Sequence, residues 1–243
     1  MRRARWIVLA AAVAFLAMLL VEFPARWAGA ALPRGVSCGE LDGSIWSGTC
    51  TELARGEAQL GDLTWTVQPA CLMRARLCLD LALEQSPRTS LRGLIELRLG
   101  GRIEARNARG TVSLEHRLLS QLPAGSSGRL DFDVDSLAWD GQRLTVLVGQ
   151  LDVHDLRAGS TALGDYRLAF APGSGDEPLA RITDLGGPFE VEGSLRLTRA
   201  PGYVLDTRVA PRAGAPQDAV QALNALGSPD AQGRRAFSIE GTF

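Results

Sequence analysis

The sequence predicts a mainly β protein, an antiparallel meander or curved sheet with one N-terminal transmembrane helix and one or two short helices. Three observations lead to this fold class: an apolar N-terminal run, period-two alternation over most of the remaining chain, and turn residues between the alternating runs. Because such alternation buries one face of each strand and wets the other, we expect a sheet with one leucine-rich face.

The N-terminal segment is predicted to be an uncleaved membrane anchor. Three arginines precede the span from Trp6 to Ala25, twenty residues in which Glu22 is the only charge. At about 1.5 Å per residue, this helix would cross a hydrocarbon core of roughly 30 Å. A cleaved signal is the alternative, since Ala28-Gly29-Ala30 is a small-x-small site. The basic N-terminus predicts a cytoplasmic tail and anchor over residues 1–30 and a periplasmic β-rich domain over residues 31–243.

Net charge argues against nucleic acid as a partner. Four of the 26 basic residues and one of the 27 acidic residues lie in the first thirty positions, so the exported part has 22 against 26, a charge of −4. Binding a polyanion depends on a surplus of basic side chains. This domain has no such surplus.

The four cysteines fit an exported domain. Cys38, Cys50, Cys71 and Cys78 form an even set, which in an oxidising compartment predicts two disulfides. Three connectivities are possible, and Cys38–Cys50 with Cys71–Cys78 is favoured because each pair brackets a short segment. Zinc is the alternative, but the spacings contain no C-x₂₋₄-C pair. No metal site is therefore predicted.

Alternation and turn residues locate the individual elements of the sheet. Asp42-Gly43 and Asp140-Gly141 are the strongest hairpin signals. Two short helices are predicted, over Glu115 to Leu122, which ends before a proline, and over Pro216 to Leu226, where three apolar residues share one face. The clearest alternating apolar positions are Leu77, Leu79, Leu81 and Leu83; Ile95, Leu97 and Leu99; Leu130, Phe132 and Val134; Leu144, Val146 and Val148; Leu195 and Leu197; Tyr203 and Leu205; and Phe237 and Ile239.

Candidate catalytic residues lack the context that catalysis requires. Ser37 lies at the centre of a G-x-S-x-G pattern, but the pattern precedes a turn and not a helix. His116 falls in a predicted helix, and His154 is followed by Asp155, whose side chain points to the other face of a strand. A hydrolase that uses Ser37 is therefore the last-ranked hypothesis. The sequence predicts no enzyme and no cofactor.

Three carboxylates and three tryptophans have two interpretations each. Asp131, Asp133 and Asp135 share one strand face, where a solvated outer surface is favoured over a calcium-binding edge because no EF-hand spacing is present. The tryptophans are interpreted first as anchors in the core or at a sheet edge. The functional alternative is a contact surface for a partner protein or lipid. These tryptophans are Trp46, Trp65 and Trp139.

Several short segments, taken in order, resemble the N component of the bacterial type II secretion system. The resemblance extends over nearly the whole chain, and the four cysteines are not part of it. These segments are Gly43-Ser44-Ile45-Trp46-Ser47-Gly48, Leu60-Gly61-Asp62-Leu63-Thr64-Trp65-Thr66-Val67-Gln68-Pro69, Leu163-Gly164-Asp165-Tyr166-Arg167-Leu168, and Leu226-Gly227-Ser228-Pro229-Asp230 followed by Gly233-Arg234.

This resemblance implies an accessory inner-membrane subunit of the machine that exports folded proteins from the periplasm. It implies contacts with the inner-membrane platform and the secretin, which we expect to involve strand edges or the tryptophan-bearing surface. The family contributes no catalytic residues. The second hypothesis is a membrane-anchored groove for lipid or another hydrophobe, because a curved sheet with leucine on one face can shield an acyl chain.

Overall fold

The computed structural model describes residues 6, 15, 18, 22–27, 35–56, 58–85, 89–98, 100–114, 125–173, 175, 177–199, 202–224 and 227–242. These residues form one antiparallel sheet of 14 strands with few helices, which confirms the predicted mainly β class. The strands are β1 Val36–Ser37, β2 Glu40–Gly43, β3 Ser47–Arg55, β4 Ala58–Val67, β5 Arg76–Gln85, β6 Thr89–Arg98, β7 Ile103–Ser113, β8 Ser126–Trp139, β9 Leu144–Ala158, β10 Thr161–Phe170, β11 Leu179–Gly186, β12 Phe189–Thr198, β13 Gly202–Pro211 and β14 Arg235–Thr242.

The strands follow one another as a meander. From β3 to β14 each strand pairs with the next in the chain, while β1 and β2 both pair with β3. Both predicted hairpins are present, at the β2–β3 and β8–β9 turns. In the second, Oδ1 of Asp140 accepts hydrogen bonds of 2.9 Å from the backbone N–H groups of Gln142 and Arg143. These bonds stabilise the carboxylate, so the pKa of Asp140 is lowered.

Two helices connect strands. Helix α1, Pro69–Leu72, begins with a proline where a missing N–H costs no hydrogen bond. Helix α2, Gln217–Asn224, confirms the helix predicted near the C-terminus over its described residues. The helix predicted at residues 115–122, with His116, lies outside the described residues.

One face of the sheet is predominantly apolar. Residues paired across neighbouring antiparallel strands point to the same side. One such row, in β8 to β11, contains Val134, Gly149, Phe170 and Ala180. Val134, Phe170 and Ala180 are buried there together with Leu147. Helix α2 packs on the same face further along, in a cluster comprising Ile182, Phe189, Val191, Ala219 and Leu223.

The opposite face is charged and paired. Arg167 donates two hydrogen bonds of 2.8 Å to the carboxylate of Asp152 on the neighbouring strand. These bonds lower the pKa of Asp152. Arg109 makes an equivalent contact of 2.8 Å with Asp133. Cross-strand pairs of this kind keep the outer face soluble and add little stability when exposed.

The sheet is built from two structural repeats, β1 to β7 and β8 to β14. Both contain the spacing Leu-x-x-Gly-x-x-x-Leu-Gly-Asp, once from Leu53 to Asp62 and once from Leu156 to Asp165. The registers also correspond, because Leu81 pairs with Gly93 in the first repeat as Ile182 pairs with Gly193 in the second. The registers differ at one point, since a bulge between Arg92 and Leu94 interrupts the pairing of β6 with β7, whereas β12 pairs with β13 without interruption. The duplication was not predicted from the sequence.

The C-terminal end of the predicted span contacts the β2–β3 turn. The backbone N–H of Ile45 donates to the carbonyl of Phe23 at 3.0 Å, and Pro24 forms a bridge with Ser44. Most of the predicted span lies outside the described residues. Within the part of the chain that the structure does describe, no helix is both long and apolar enough to cross a bilayer.

Candidate contact surfaces

The three tryptophans do not form a single surface. All are half-buried. The ring of Trp65 lies over Gly48 of β3, where an added Cβ would fall 2.5 Å from Cζ2. Trp46, in the adjacent turn, accepts a hydrogen bond of 2.6 Å on its carbonyl from Val67. Trp139 lies in β8, so β5, β6 and β7 separate it from the other two. The indole of Trp65 packs within the sheet, against Gly48.

The cysteines are paired as the sequence favours. Cys38 is bonded to Cys50 with 5.7 Å between Cα atoms, and Cys71 to Cys78 with 5.8 Å. The first bond fixes the chain between β1 and β2 to β3. The second fixes helix α1 to the outer face of β5, where Cys78 is fully buried. Both disulfides therefore belong to the first repeat.

The structure separates the residues considered for catalysis. Ser37 ends the two-residue strand β1, opposite Ala54, and has none of the strand-to-helix geometry of a nucleophile elbow. The carboxylate near the imidazole of His154 is that of Asp131, with an oxygen 3.5 Å from Nε2. The backbone of Asp155 instead binds the carboxylate of Asp165. These side chains do not converge on one point.

Two of the three aspartates of β8 bind side chains of β7. Asp133 pairs with Arg109, and Asp131 accepts a hydrogen bond of 2.7 Å from Thr111. A β-bulge between Val134 and Ser136 interrupts the strand at Asp135. The described residues contain no group of three or more acidic, histidine or cysteine side chains arranged for a metal ion.

A buried charged cluster was not detected from the sequence. Glu96 is only 6% exposed, and its carboxylate lies 3.4 Å from Arg76, 3.5 Å from Arg106 and 4.0 Å from Arg98. Glu104 joins the cluster through Arg98 at 2.8 Å. A carboxylate this deeply buried needs the arginines as partners, because an isolated buried charge would be strongly destabilising. The cluster stabilises the outer face of β5 to β7 beside helix α1.

The aspartate of each Leu-Gly-Asp segment clamps a β-bulge. Asp62 accepts a hydrogen bond of 2.9 Å from the backbone N–H of Glu52, and Asp165 accepts one of 2.7 Å from that of Asp155. Both donors have φ of 53°, which is uncommon outside glycine. Because the carboxylate binds an N–H released from the ladder, it stabilises the bulge.

The glycine of the same segment permits a close approach between strands. Gly61 has φ of 104° and Gly164 has φ of 111°. A Cβ at these positions would lie 2.5 Å and 2.7 Å from the carbonyl oxygens of Glu84 and Gly186, respectively. No larger residue fits without a shift of the backbone. The motif that carried the family resemblance is therefore a structural element that occurs twice.

An open cleft of about 710 Å³ lies on the charged face of the second repeat. Its charged lining residues are Arg181, Glu192, Asp206 and Arg208, which carry no net charge. Asp206 also accepts a hydrogen bond of 2.6 Å from Ser238. The lining therefore provides no preference for an ion of one sign.

Comparison with known proteins identifies the family. Residues 34–238 match the family model described as type II secretion system (T2SS), protein N. The chain belongs to the type II secretion system protein N family. Type II secretion system protein N of Aeromonas hydrophila is 27% identical over 241 residues, which cover 94% of each chain. That of Vibrio cholerae is 23% identical over 251 residues, 92% of each. No solved structure matches.

The resemblance stated from the sequence is therefore confirmed. Membership in the protein N family makes the chain an accessory component of type II secretion. Two of the segments that carry the resemblance contain Leu-Gly-Asp. In both of them the aspartate stabilises a β-bulge in the neighbouring strand.

Proposed function

We propose that this protein is a single-pass inner-membrane subunit whose sheet contacts other type II secretion components on the periplasmic side. The observation that carries the proposal is the match to protein N over residues 34–238, nearly the whole predicted periplasmic domain. Its role in this proposal is that of a scaffold. In this proposal the protein acts through contacts and not as an enzyme.

The anchor at residues 1–30 and the domain at residues 31–243 are part of this proposal. The arginine-rich start and long apolar run support the anchor. Trp27 supports it further, because its ring remains exposed just after the span and tryptophan is enriched at membrane interfaces. Two disulfides support a periplasmic location, since such bonds persist in oxidising compartments.

The experiment is a deletion of the gene followed by complementation. We expect the deletion strain to retain a type II substrate in the periplasm and the full-length chain to restore its release, measured as the fraction in the medium. A chain lacking residues 1–30 but exported by a cleavable signal is the matched control for the anchor. Normal release from the deletion strain would contradict the proposal.

Contacts with the inner-membrane platform and the secretin are tested separately. Tagged protein, crosslinked in intact cells and purified from envelope membranes, is expected to carry a platform subunit or the secretin. Recovery of neither would remove these partners from the proposal, whatever the secretion result.

Lipid binding is a second candidate, supported by the apolar face of the first repeat. Leu79, Leu81, Leu83 and Ile95 are only half-buried on this face. An acyl chain would cover such a surface favourably, at about 25 cal/mol per Å² of apolar area. Mass spectrometry of the purified protein tests this candidate, which the absence of co-purifying lipid would contradict.

A further inference from the structure

The two edges of the sheet differ in regularity. The N-terminal edge consists of β1, with two residues, and β2, with four, separated beside the Cys38–Cys50 disulfide. The C-terminal edge is β14, eight residues paired with β13 in one uninterrupted register. Natural sheets protect free edges with short strands, prolines, lysines and bulges. The N-terminal edge has short strands, whereas β14 is longer and contains neither a proline nor a bulge; its charged side chains are Arg235 and Glu240.

The outer side of β14 is open to solvent. Among the described residues, β13 is the only strand that pairs with it. Five of its eight residues are exposed, and Ile239, on the apolar face, is 38% exposed. A regular strand in this position presents unpaired N–H and C=O groups to a further strand.

The duplication indicates what fits this edge. Ile239 pairs with Leu205 of β13 as Leu137 of β8 pairs with Ala105 of β7, so β14 corresponds to the C-terminal half of β8. The other edge of β8 is occupied by the antiparallel strand β9, whose Leu147 lies opposite Leu137. In the described part of the chain, no strand pairs with β14 in the way that β9 pairs with β8.

The residues of β9 indicate which side chains a strand paired with β14 would carry. Val146 and Val148 flank Leu147, so β9 presents aliphatic side chains to both faces at this point. The corresponding part of β14 presents Ser238 and Glu240 to the charged face. Ser238 corresponds to Ser136 of β8, but Glu240 stands where β8 has Ala138, so the aliphatic residues that carry over from β9 are those opposite Ile239 and Ser238. A second copy of β14 with Ile239 opposite Ile239 would place Glu240, and not an aliphatic residue, opposite Ser238.

We infer that the outer edge of β14 binds an antiparallel strand of a partner protein that places aliphatic residues opposite Ile239 and Ser238. This inference rests on the proposed function, since the strand belongs to another secretion component. The backbone of the incoming strand supplies the affinity, and its alternating side chains supply the specificity. The apolar face of the sheet then continues across the junction.

The test uses the peptide of residues 144–152, the sequence that fills the corresponding position beside β8. The labelled peptide is titrated into the full chain in detergent, and saturable binding is expected. Ile239→Lys should weaken binding at least tenfold, because a charge directed to the apolar face of an edge strand opposes pairing. The control is Leu179→Lys, at an interior strand position that is 44% exposed. This variant should bind like the unmodified chain.

A modified peptide makes the test independent of protein folding. Methylation of alternate backbone nitrogens removes the donors of the peptide without changing its side chains, so binding should be lost. Equal binding of this peptide, equal binding to the two lysine variants, or no binding of the parent peptide would each overturn the inference. Light scattering that finds a dimer dissociated by Ile239→Lys would overturn it as well, since a second copy would then occupy the edge.

The secretion assay separates this inference from the proposed function. If the peptide fails to bind but deletion of the gene abolishes substrate release, only the assignment of the edge fails. If the peptide binds as expected and the deletion strain secretes normally, the edge is a strand-binding site and the proposed function fails.

Discussion

The first repeat, β1 to β7, and the second, β8 to β14, follow corresponding registers but bury their apolar faces to different extents. In the second repeat helix α2 packs on that face, and Ile182 is 6% exposed. The corresponding Leu81 of the first repeat is only half-buried. The first repeat instead contains both disulfides and the cluster around Glu96. The two repeats thus have the same strand order but different stabilisation: disulfides cross-link the first, and a hydrophobic core stabilises the second.

The comparison predicts its largest effect at these corresponding core positions. Ile182→Ala should lower the free energy of unfolding by about 3–4 kcal/mol, because it leaves a cavity in a packed cluster. Leu81→Ala should lower it by about 1–2 kcal/mol, since less apolar surface is lost. Urea denaturation of the two variants measures both values. Equal losses would show that the repeats are packed alike.

Removal of the Cys71–Cys78 disulfide should have the next largest effect. Its cysteines are 7 residues apart, and opening a loop of that size costs about 2–3 kcal/mol through the entropy of the unfolded chain. The paired variant Cys71→Ser/Cys78→Ser is therefore expected to lose hydrogen-exchange protection in β4 to β6. Protection in β10 to β12 serves as the internal control. A uniform loss across both repeats would contradict separate stabilisation.

The smallest predicted effect concerns pH. Burial raises the pKa of Tyr166 from 10.0 to about 12, and the residue at the corresponding position of the first repeat is Leu63, which does not titrate. The unfolded chain therefore loses the phenol proton first. The stabilisation is fully present below about pH 10 and is lost as the pH rises towards 12.

Denaturation midpoints between pH 9 and pH 11 measure this contribution. The control is Tyr166→Phe, which keeps the ring but removes the proton and the hydrogen bond to the carbonyl of Leu163. Its midpoint should fall less steeply with pH than that of the unmodified chain. Parallel slopes would contradict a role for Tyr166.

Strand content, the positions of the strongest turns and the C-terminal helix follow from sequence alone. Period-two alternation, Asp-Gly pairs and a short amphipathic segment are local signals, and each depends on residues close together in the chain. The favoured cysteine pairs also bracket short segments, and the structure forms those pairs. The repeated Leu-Gly-Asp segments were visible in the sequence as family features. Their role as bulge clamps was not.

Only the tertiary structure decided which face several residues occupy. The alternation of Leu144, Val146 and Val148 suggested one buried set, yet Val146 is 41% exposed and Leu147 is buried. The bulges between β8 and β9 change the register, and a shift of one residue moves every side chain to the other face. The cluster around Glu96 and the free edge of β14 likewise depend on which strands become neighbours. Sequence periodicity specifies alternation within a strand, whereas the pairing partner and its register arise only when distant segments meet.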